Sequence, residues 1–193
     1  MKSRRLHWFI FALLAVSTSI LDLWTKGAVF DLLRVRIEQQ PDDGVLRARI
    51  GEHDKVVIIP NFFELEPNIN YGAFSGWFAS HTGLLTLLSA VALGVIAWFL
   101  WSYLRGPGPP RLWVTAGLGL VWGGTLGNLY DRAIHGYVRD FIKWFVVKED
   151  GRELVWPNFN LADSAICVGV AIILVLFPRS SRRSEPARAH APT

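Results

Sequence analysis

Apolar residues dominate four stretches of the chain, and the intervals between them carry a different pattern. His7 to Leu21 is almost wholly apolar, and helix-forming residues continue to Phe30. Leu84 to Leu104, Leu112 to Tyr130 and Leu161 to Phe177 repeat the theme. A helix needs about 20 apolar residues to cross a bilayer core. The expected fold is therefore a membrane all-α protein with a small β element, its four helices spanning about 8–30, 84–104, 112–130 and 161–177. Ala15-Val16-Ser17 resembles a signal-peptide cleavage site, but the apolar run continues through Ile20 and Leu21, as a spanning helix requires.

The interval from Asp31 to Pro67 alternates, first in Arg34-Val35-Arg36-Ile37-Glu38 and again in Val45-Leu46-Arg47-Ala48-Arg49-Ile50. Val56 to Ile59 is a short β-branched run, and Pro41, Asp43-Gly44, Gly51 and Pro60-Asn61 punctuate these pieces. Short antiparallel strands outside the bilayer are predicted. They are too small for a core of their own and should rest on the membrane domain. Arg105 to Arg111, with Gly106, Pro107, Gly108, Pro109 and Pro110 between them, reads as a stiff turn. Residues 131–158 form a second polar interval, with Trp144, Phe145 and Trp156 as expected interfacial anchors. Gly123 and Gly127, four residues apart, suit close helix approach.

Charge orients these spans. Lys2, Arg4 and Arg5 precede the first, Arg105 and Arg111 bracket the turn, and Arg179, Arg182, Arg183 and Arg188 populate the tail. All three segments lie on one side of a four-span protein, so the positive-inside rule makes both termini cytoplasmic and both larger loops external. The expected organisation is one membrane domain over 1–178, with a β-rich loop at 31–80, a second outer loop at 131–158, and a disordered basic cytoplasmic tail at 179–193. Composition agrees with a membrane protein: 51% of residues are hydrophobic and 19% charged, so the net charge of +4 does not imply nucleic acid. Cys167 is the only cysteine, which excludes an internal disulfide, and the five histidines show no ligand spacing. No metal or cofactor is expected.

Candidate chemistry gathers at the outer ends of the spans. Asp22 and Lys26 share one helical face, as do Asn128 and Arg132, and Asn160 and Asp163. Asn70 comes from the first loop, Asp131 from the end of the third span and Asp140 from the second loop. Asp22 and Lys26 read either as a neutralised ion pair or as a polar patch facing a substrate. No serine nucleophile pattern is present, so Asp140 and Asp163 are the candidate acids. Two neighbouring carboxylates in a low dielectric share a proton, one acting as base on water and the other as acid. The sequence leaves open whether these two meet.

The chain resembles the lipoprotein signal peptidases (signal peptidase II). The resemblance rests on Asp22-Leu-Trp-Thr-Lys26, Asn70-Tyr-Gly-Ala-Phe-Ser75, Gly123-Gly-Thr-Leu-Gly-Asn-Leu-Tyr-Asp-Arg132, Val138-Arg-Asp-Phe141 and Phe159-Asn-Leu-Ala-Asp-Ser164, in that order. It implies an aspartyl dyad at Asp140 and Asp163, with Asp22, Lys26, Asn70, Gly72, Asn128, Arg132 and Asn160 orienting the dyad or the substrate. It also implies an Asp–Arg type support at Asp131, a β-cradle in the first loop and a mobile helix in the second. The implied activity is removal of signal peptides from diacylglyceryl prolipoproteins just before the lipidated cysteine, by a monomer in the bacterial inner membrane that contacts lipid. Two departures stand out: the loop motif is one residue short, leaving Asn68 as the alternative to Asn70, and Arg139 replaces a commonly apolar residue. The rival readings are a small transporter, which requires charges at midplane and paired broken helices, and a non-catalytic assembly factor.

Overall fold

The computed structural model describes residues 2–39, 46–49, 55–72, 82–106 and 110–176. The tail at 179–193, the turn residues 107–109 and the motif residues 73–75 lie outside the described residues. Four helices are present: α1 (Lys2–Leu32), α2 (Thr82–Arg105), α3 (Leu112–His135) and α4 (Leu161–Leu176). Between α1 and α2 run β1 (Arg36–Gln39), β2 (Leu46–Arg49), β3 (Val56–Ile59) and β4 (Phe63–Asn70). Between α3 and α4 run β5 (Val138–Val147) and β6 (Glu153–Val155).

The helices are apolar on the sides that face outward. Leu87, Val91 and Trp98 of α2 and Leu174 and Val175 of α4 are exposed, as are Phe9, Ile20 and Trp24 of α1. A helix apolar all round belongs in a protein core or in lipid, and these faces have no protein over them. α1 over Arg4–Leu32 and the whole of α2 are long and apolar enough to cross a membrane; α4 is a shorter apolar helix.

α3 is the central helix and packs against each of the other three. Its glycines make that possible. A Cβ on Gly123 would lie 2.6 Å from the Ala15 carbonyl oxygen and 2.8 Å from Thr18 Cβ of α1. One on Gly124, the next residue round the helix, would strike the Ala162 carbonyl oxygen of α4. α2 sits further off. It is joined to α3 by Leu100 and Leu104 against Val114 and Leu118, and by the Trp122 indole donating to the Leu93 carbonyl at 3.1 Å.

The sheets explain how both loops reach one place. β1 and β2 form an antiparallel pair, while β3, β4, β5 and β6 form a second sheet in that order. β4 comes from the first loop and β5 from the second, and they pair antiparallel from Phe63↔Trp144 to Asn70↔Val138. The expected β-cradle is therefore completed by the second loop. The helix expected in that second loop is absent: residues 138–155 form a hairpin, and among the described residues no helix lies outside α1 to α4. Val138-Arg-Asp-Phe-Ile-Lys-Trp-Phe-Val-Val147 is rich in β-branched and aromatic residues, which favour a strand with a partner beside it. The sheet packs on the end of α1, where Phe141, Leu65, Ile142 and Val56 meet Val29, Phe30 and Leu33. Trp144 and Trp156 are exposed as expected of interfacial anchors, but Phe145 is buried, with Lys143 Nζ 5.2 Å from its ring centroid. Neighbouring strand residues face opposite ways, so Trp144 and Phe145 cannot both point outward.

Gly123→Ala is expected to lower the thermal midpoint in detergent, since overpacking costs about 1–3 kcal/mol. Gly94→Ala in α2, where an added Cβ meets nothing within 4 Å, is expected to leave the midpoint unchanged or raise it. Equal effects of the two substitutions would show that the α1–α3 contact is not close-packed.

Candidate active site

The first turn of α4 builds one half of the site. Asn160 precedes the helix, and its side-chain Oδ1 accepts the Asp163 N–H at 3.0 Å, while Asp163 Oδ2 accepts the Asn160 N–H at 3.2 Å. This reciprocal pair is a capping box, written with Asn and Asp. It satisfies two backbone donors and fixes the Asp163 carboxylate at the helix start. Asn160 still has its amide nitrogen free to act elsewhere, and it donates to Asp140 Oδ1 at 2.7 Å. One side chain therefore caps the helix that carries Asp163 and also holds Asp140.

β5 delivers Asp140, which is 1% exposed. Its second oxygen accepts the Asn70 amide at 2.9 Å. Asn70 ends β4, and its own Oδ1 accepts the Gly72 N–H at 2.8 Å. Gly72 has φ +84°, and a Cβ there would run into the Leu85 side chain. The positive φ disfavours a side chain here, and the Leu85 methyl would have to move to admit one. The register sets Asn68 opposite Asp140, but Asn68 is exposed, and Asn70 is the residue that reaches the carboxylate.

Asn128 of α3 supplies the remaining donor, to Asp163 Oδ1 at 2.8 Å. All four oxygens of Asp140 and Asp163 therefore accept an N–H. The Asn128 Oδ1 accepts Lys26 Nζ at 2.9 Å and the Asn160 amide at 3.2 Å. Lys26 and Asp22 are fully buried and lie 2.7 Å apart. Lys26 is also 3.3 Å from Asp131, and Asp22 Oδ1 accepts the Ala162 N–H at 2.9 Å. The two form the ion pair anticipated from their spacing. The expectation that they face a substrate is not met, because their polar atoms are taken up by protein groups at zero exposure. A Cβ on Gly127 would strike the Asp22 carboxylate, so this glycine makes room for a charge as well as for a helix.

A cavity of about 360 Å³ opens between α2, α3 and α4. Asn128, Arg132 and Asp163 line its polar side, and Leu85, Leu88 and Ile166 its apolar side. Arg132 Nε is buried without a hydrogen-bond partner among the described residues. An unsatisfied buried donor beside a cavity is suited to an acceptor on a bound molecule. Asp140 does not line this cavity. Burial pushes its carboxyl up to about 7, and the charge of Asp163 adds to the rise, against the opposing amides of Asn70 and Asn160. Among the described residues no group of His, Cys, Asp and Glu could hold a metal ion. The arrangement sets two carboxylates, both hydrogen-bonded to Asn160, beside a cavity with a polar and an apolar wall.

The sequence model of the signal peptidase (SPase) II family matches residues 14–178. The lipoprotein signal peptidase of an Anaeromyxobacter species is 33% identical over 199 residues, covering 95% of this chain and 91% of that protein. That of Chlorobaculum tepidum is 38% identical over 176 residues, covering 87% of this chain and 93% of the other. A bacterial membrane enzyme solved by the in meso method superposes with a TM-score of 0.66 at 25% identity, covering 91% of this chain and 92% of that one. From a family match over most of its length and relatives at about a third identity, the chain belongs to the signal peptidase II family, a family of membrane peptidases that includes the lipoprotein signal peptidases.

Proposed function

We propose that the chain cleaves diacylglyceryl prolipoproteins just before the lipidated cysteine, by aspartyl chemistry at Asp140 and Asp163. The observation that carries the reading is Asn160, whose side-chain amide donates to the Asp140 carboxylate and whose main-chain N–H donates to the Asp163 carboxylate, with Asp163 on the cavity wall. Burial of Asp140 favours its neutral form, so the shared proton resides there. Asp163 takes a proton from water as the oxygen attacks the scissile carbonyl carbon. The tetrahedral intermediate then breaks its C–N bond, and the leaving amine takes a proton from the pair. The products are the carboxylate of the signal peptide and the free amino group of the lipidated cysteine. Arg132 Nε donates to a carbonyl of the bound substrate. Asn70, Asn128 and Asn160 hold the carboxylates in place, and Asp22, Lys26 and Gly72 position those amides.

In this reading the protein has four spans with both termini cytoplasmic, and the dyad lies at the outer face of the inner membrane. Two features support it. The β4–β5 pairing requires the two larger loops to be on the same side. The basic turn at Arg105 and Arg111 lies at the opposite ends of α2 and α3 from those loops. The apolar cavity wall between α2 and α4 suits a signal helix that stays in the bilayer together with the lipid chains. Remote binding of those parts then places the scissile bond.

Asp140→Asn and Asp163→Asn are each expected to reduce cleavage of a diacylglyceryl prolipoprotein by at least about 10³-fold. The double variant should be little worse than either, as followed by mass spectrometry. Near-normal turnover in either single variant would remove that residue from the dyad.

The same burial has a consequence for stability. Folding raises Asp140 from 3.8 to about 7, so the folded state holds a proton that the unfolded chain releases between those values. Asp140 favours the fold at low pH, and this contribution is lost as pH rises through about 7. The thermal midpoint of Asp140→Asn relative to the parent should therefore rise by roughly 5 °C from pH 5 to pH 8. A difference that stays flat with pH would show that Asp140 does not titrate there.

Omitting the diacylglyceryl group from the precursor is expected to cut turnover by at least about 100-fold. Equal cleavage of the two precursors would point to a general intramembrane protease.

A further inference from the structure

Arg139 sits immediately before Asp140, and neither the capping box nor the cavity uses it. Strand residues alternate in facing, so its side chain leaves β5 on the side opposite to Asp140. There it meets Asp131, near the end of α3. Arg139 Nη2 is 2.7 Å from Asp131 Oδ1, and its Nε is 3.2 Å and 3.3 Å from the two oxygens. Its backbone N–H donates to Asp131 Oδ2 at 3.0 Å. The residue is thus held to one carboxylate by side chain and main chain together. Its carbonyl oxygen is 3.4 Å from the Asn160 amide nitrogen that also reaches Asp140.

Asp131 is fully buried and has a second cation, Lys26, at 3.3 Å. Lys26 in turn is shared with Asp22 and with the Asn128 oxygen. The charges within this group balance as Arg139 and Lys26 against Asp131 and Asp22. Without Arg139, this buried carboxylate would keep Lys26 as its ion-pair partner among the described residues. The ammonium would be drawn toward Asp131 and away from Asn128, whose amide holds Asp163.

We propose that Arg139 is a positioning residue for the dyad: its fork on Asp131 sets the register of β5 that places Asp140, and leaves Lys26 free to orient Asn128 toward Asp163. The proposal rests on the dyad reading above. Both routes end on the geometry of the carboxylates and neither reaches the apolar wall of the cavity, so the effect belongs in kcat.

The test compares Arg139→Leu, Arg139→Lys and the double variant Asp131→Asn/Arg139→Leu with the parent and with Asp140→Asn, in the full chain in detergent. Turnover is measured on a diacylglyceryl prolipoprotein. Arg139→Leu is expected to lower kcat by about 10- to 100-fold, the cost of a small misplacement, with KM within about threefold. Arg139→Lys keeps the charge but loses the fork, and should lose about three- to tenfold in kcat. This variant decides the matter if Arg139→Leu does not fold. Arg139→Leu made in an Asp131→Asn background should cost less than about threefold more, since the two residues act through each other. Parent kcat in Arg139→Lys and Arg139→Leu, or a loss confined to KM, would overturn the proposal. Parent turnover in Asp140→Asn would instead remove the dyad reading itself.

Discussion

A fully buried ammonium must have anions and acceptors around it, and Lys26 is the group on which the rest of the structure depends. Desolvating such a charge is costly unless it is paired and hydrogen-bonded. Lys26 meets the condition with Asp22 from its own helix and with Asp131 and Asn128 from α3. Each partner then has capacity left over. Asp22 spends its other oxygen on the Ala162 N–H of α4. Asp131 takes the Arg139 fork from β5. Asn128 turns its amide nitrogen to Asp163. One buried charge therefore ties together α1, α3, α4 and β5, the elements that carry Asp140, Asp163 and the side chains around them.

Asparagine is the side chain that makes this linkage directional. An amide has an acceptor end and a donor end, and fixing one end fixes the other. Lys26 on the Asn128 oxygen leaves only the nitrogen for Asp163, and the Asp163 N–H on the Asn160 oxygen leaves only the nitrogen for Asp140. The carboxylates thus receive neutral donors, which orient them without forming a full ion pair. A Lys or Arg in the same place would favour the ionised form of a carboxylate more strongly than a neutral amide does. Networks of this kind are strong only when every member is satisfied, which accounts for the close fit of Gly127 against Asp22 and of Gly72 against Leu85.

The apolar exterior and the polar centre meet along α3. Its glycines bring α1 and α4 close enough for Asp22 to reach Ala162, while α2 stands away and leaves the cavity beside Asp163. Tight packing on two sides and loose packing on the third is therefore a division of labour. The close contacts hold Asp163 and its partners in place, and the gap leaves one side of Asp163 open to the cavity. The β4–β5 pairing adds the two loops to this arrangement as a single sheet, so Asn70 and Asp140 approach from outside the helices as one unit.

Much of this could be read from residue order alone. Apolar runs marked the four helices, although α1 starts six residues before its run and α3 ends five after it, because a long apolar run without turn residues reads as a helix. Asp22 with Lys26 and Asn160 with Asp163 were legible as pairs, since spacings of four and three on a helix put side chains together. The strands of the first loop were visible in their alternation. The hairpin at 138–155 was not, because β5 finds its hydrogen bonds on β4, about 70 residues earlier, and a strand is completed only by its partner. The same distance separates Asn70 from Asp140, and spacing could not distinguish it from Asn68. Arg139 stood out in the sequence as an odd neighbour for an acid, but its purpose depends on α3 and β5 meeting at Asp131. Local periodicity is written along the chain; the approach of Asp140 and Asp163 to one asparagine, and the charge beneath them, exists only once distant segments are packed against one another.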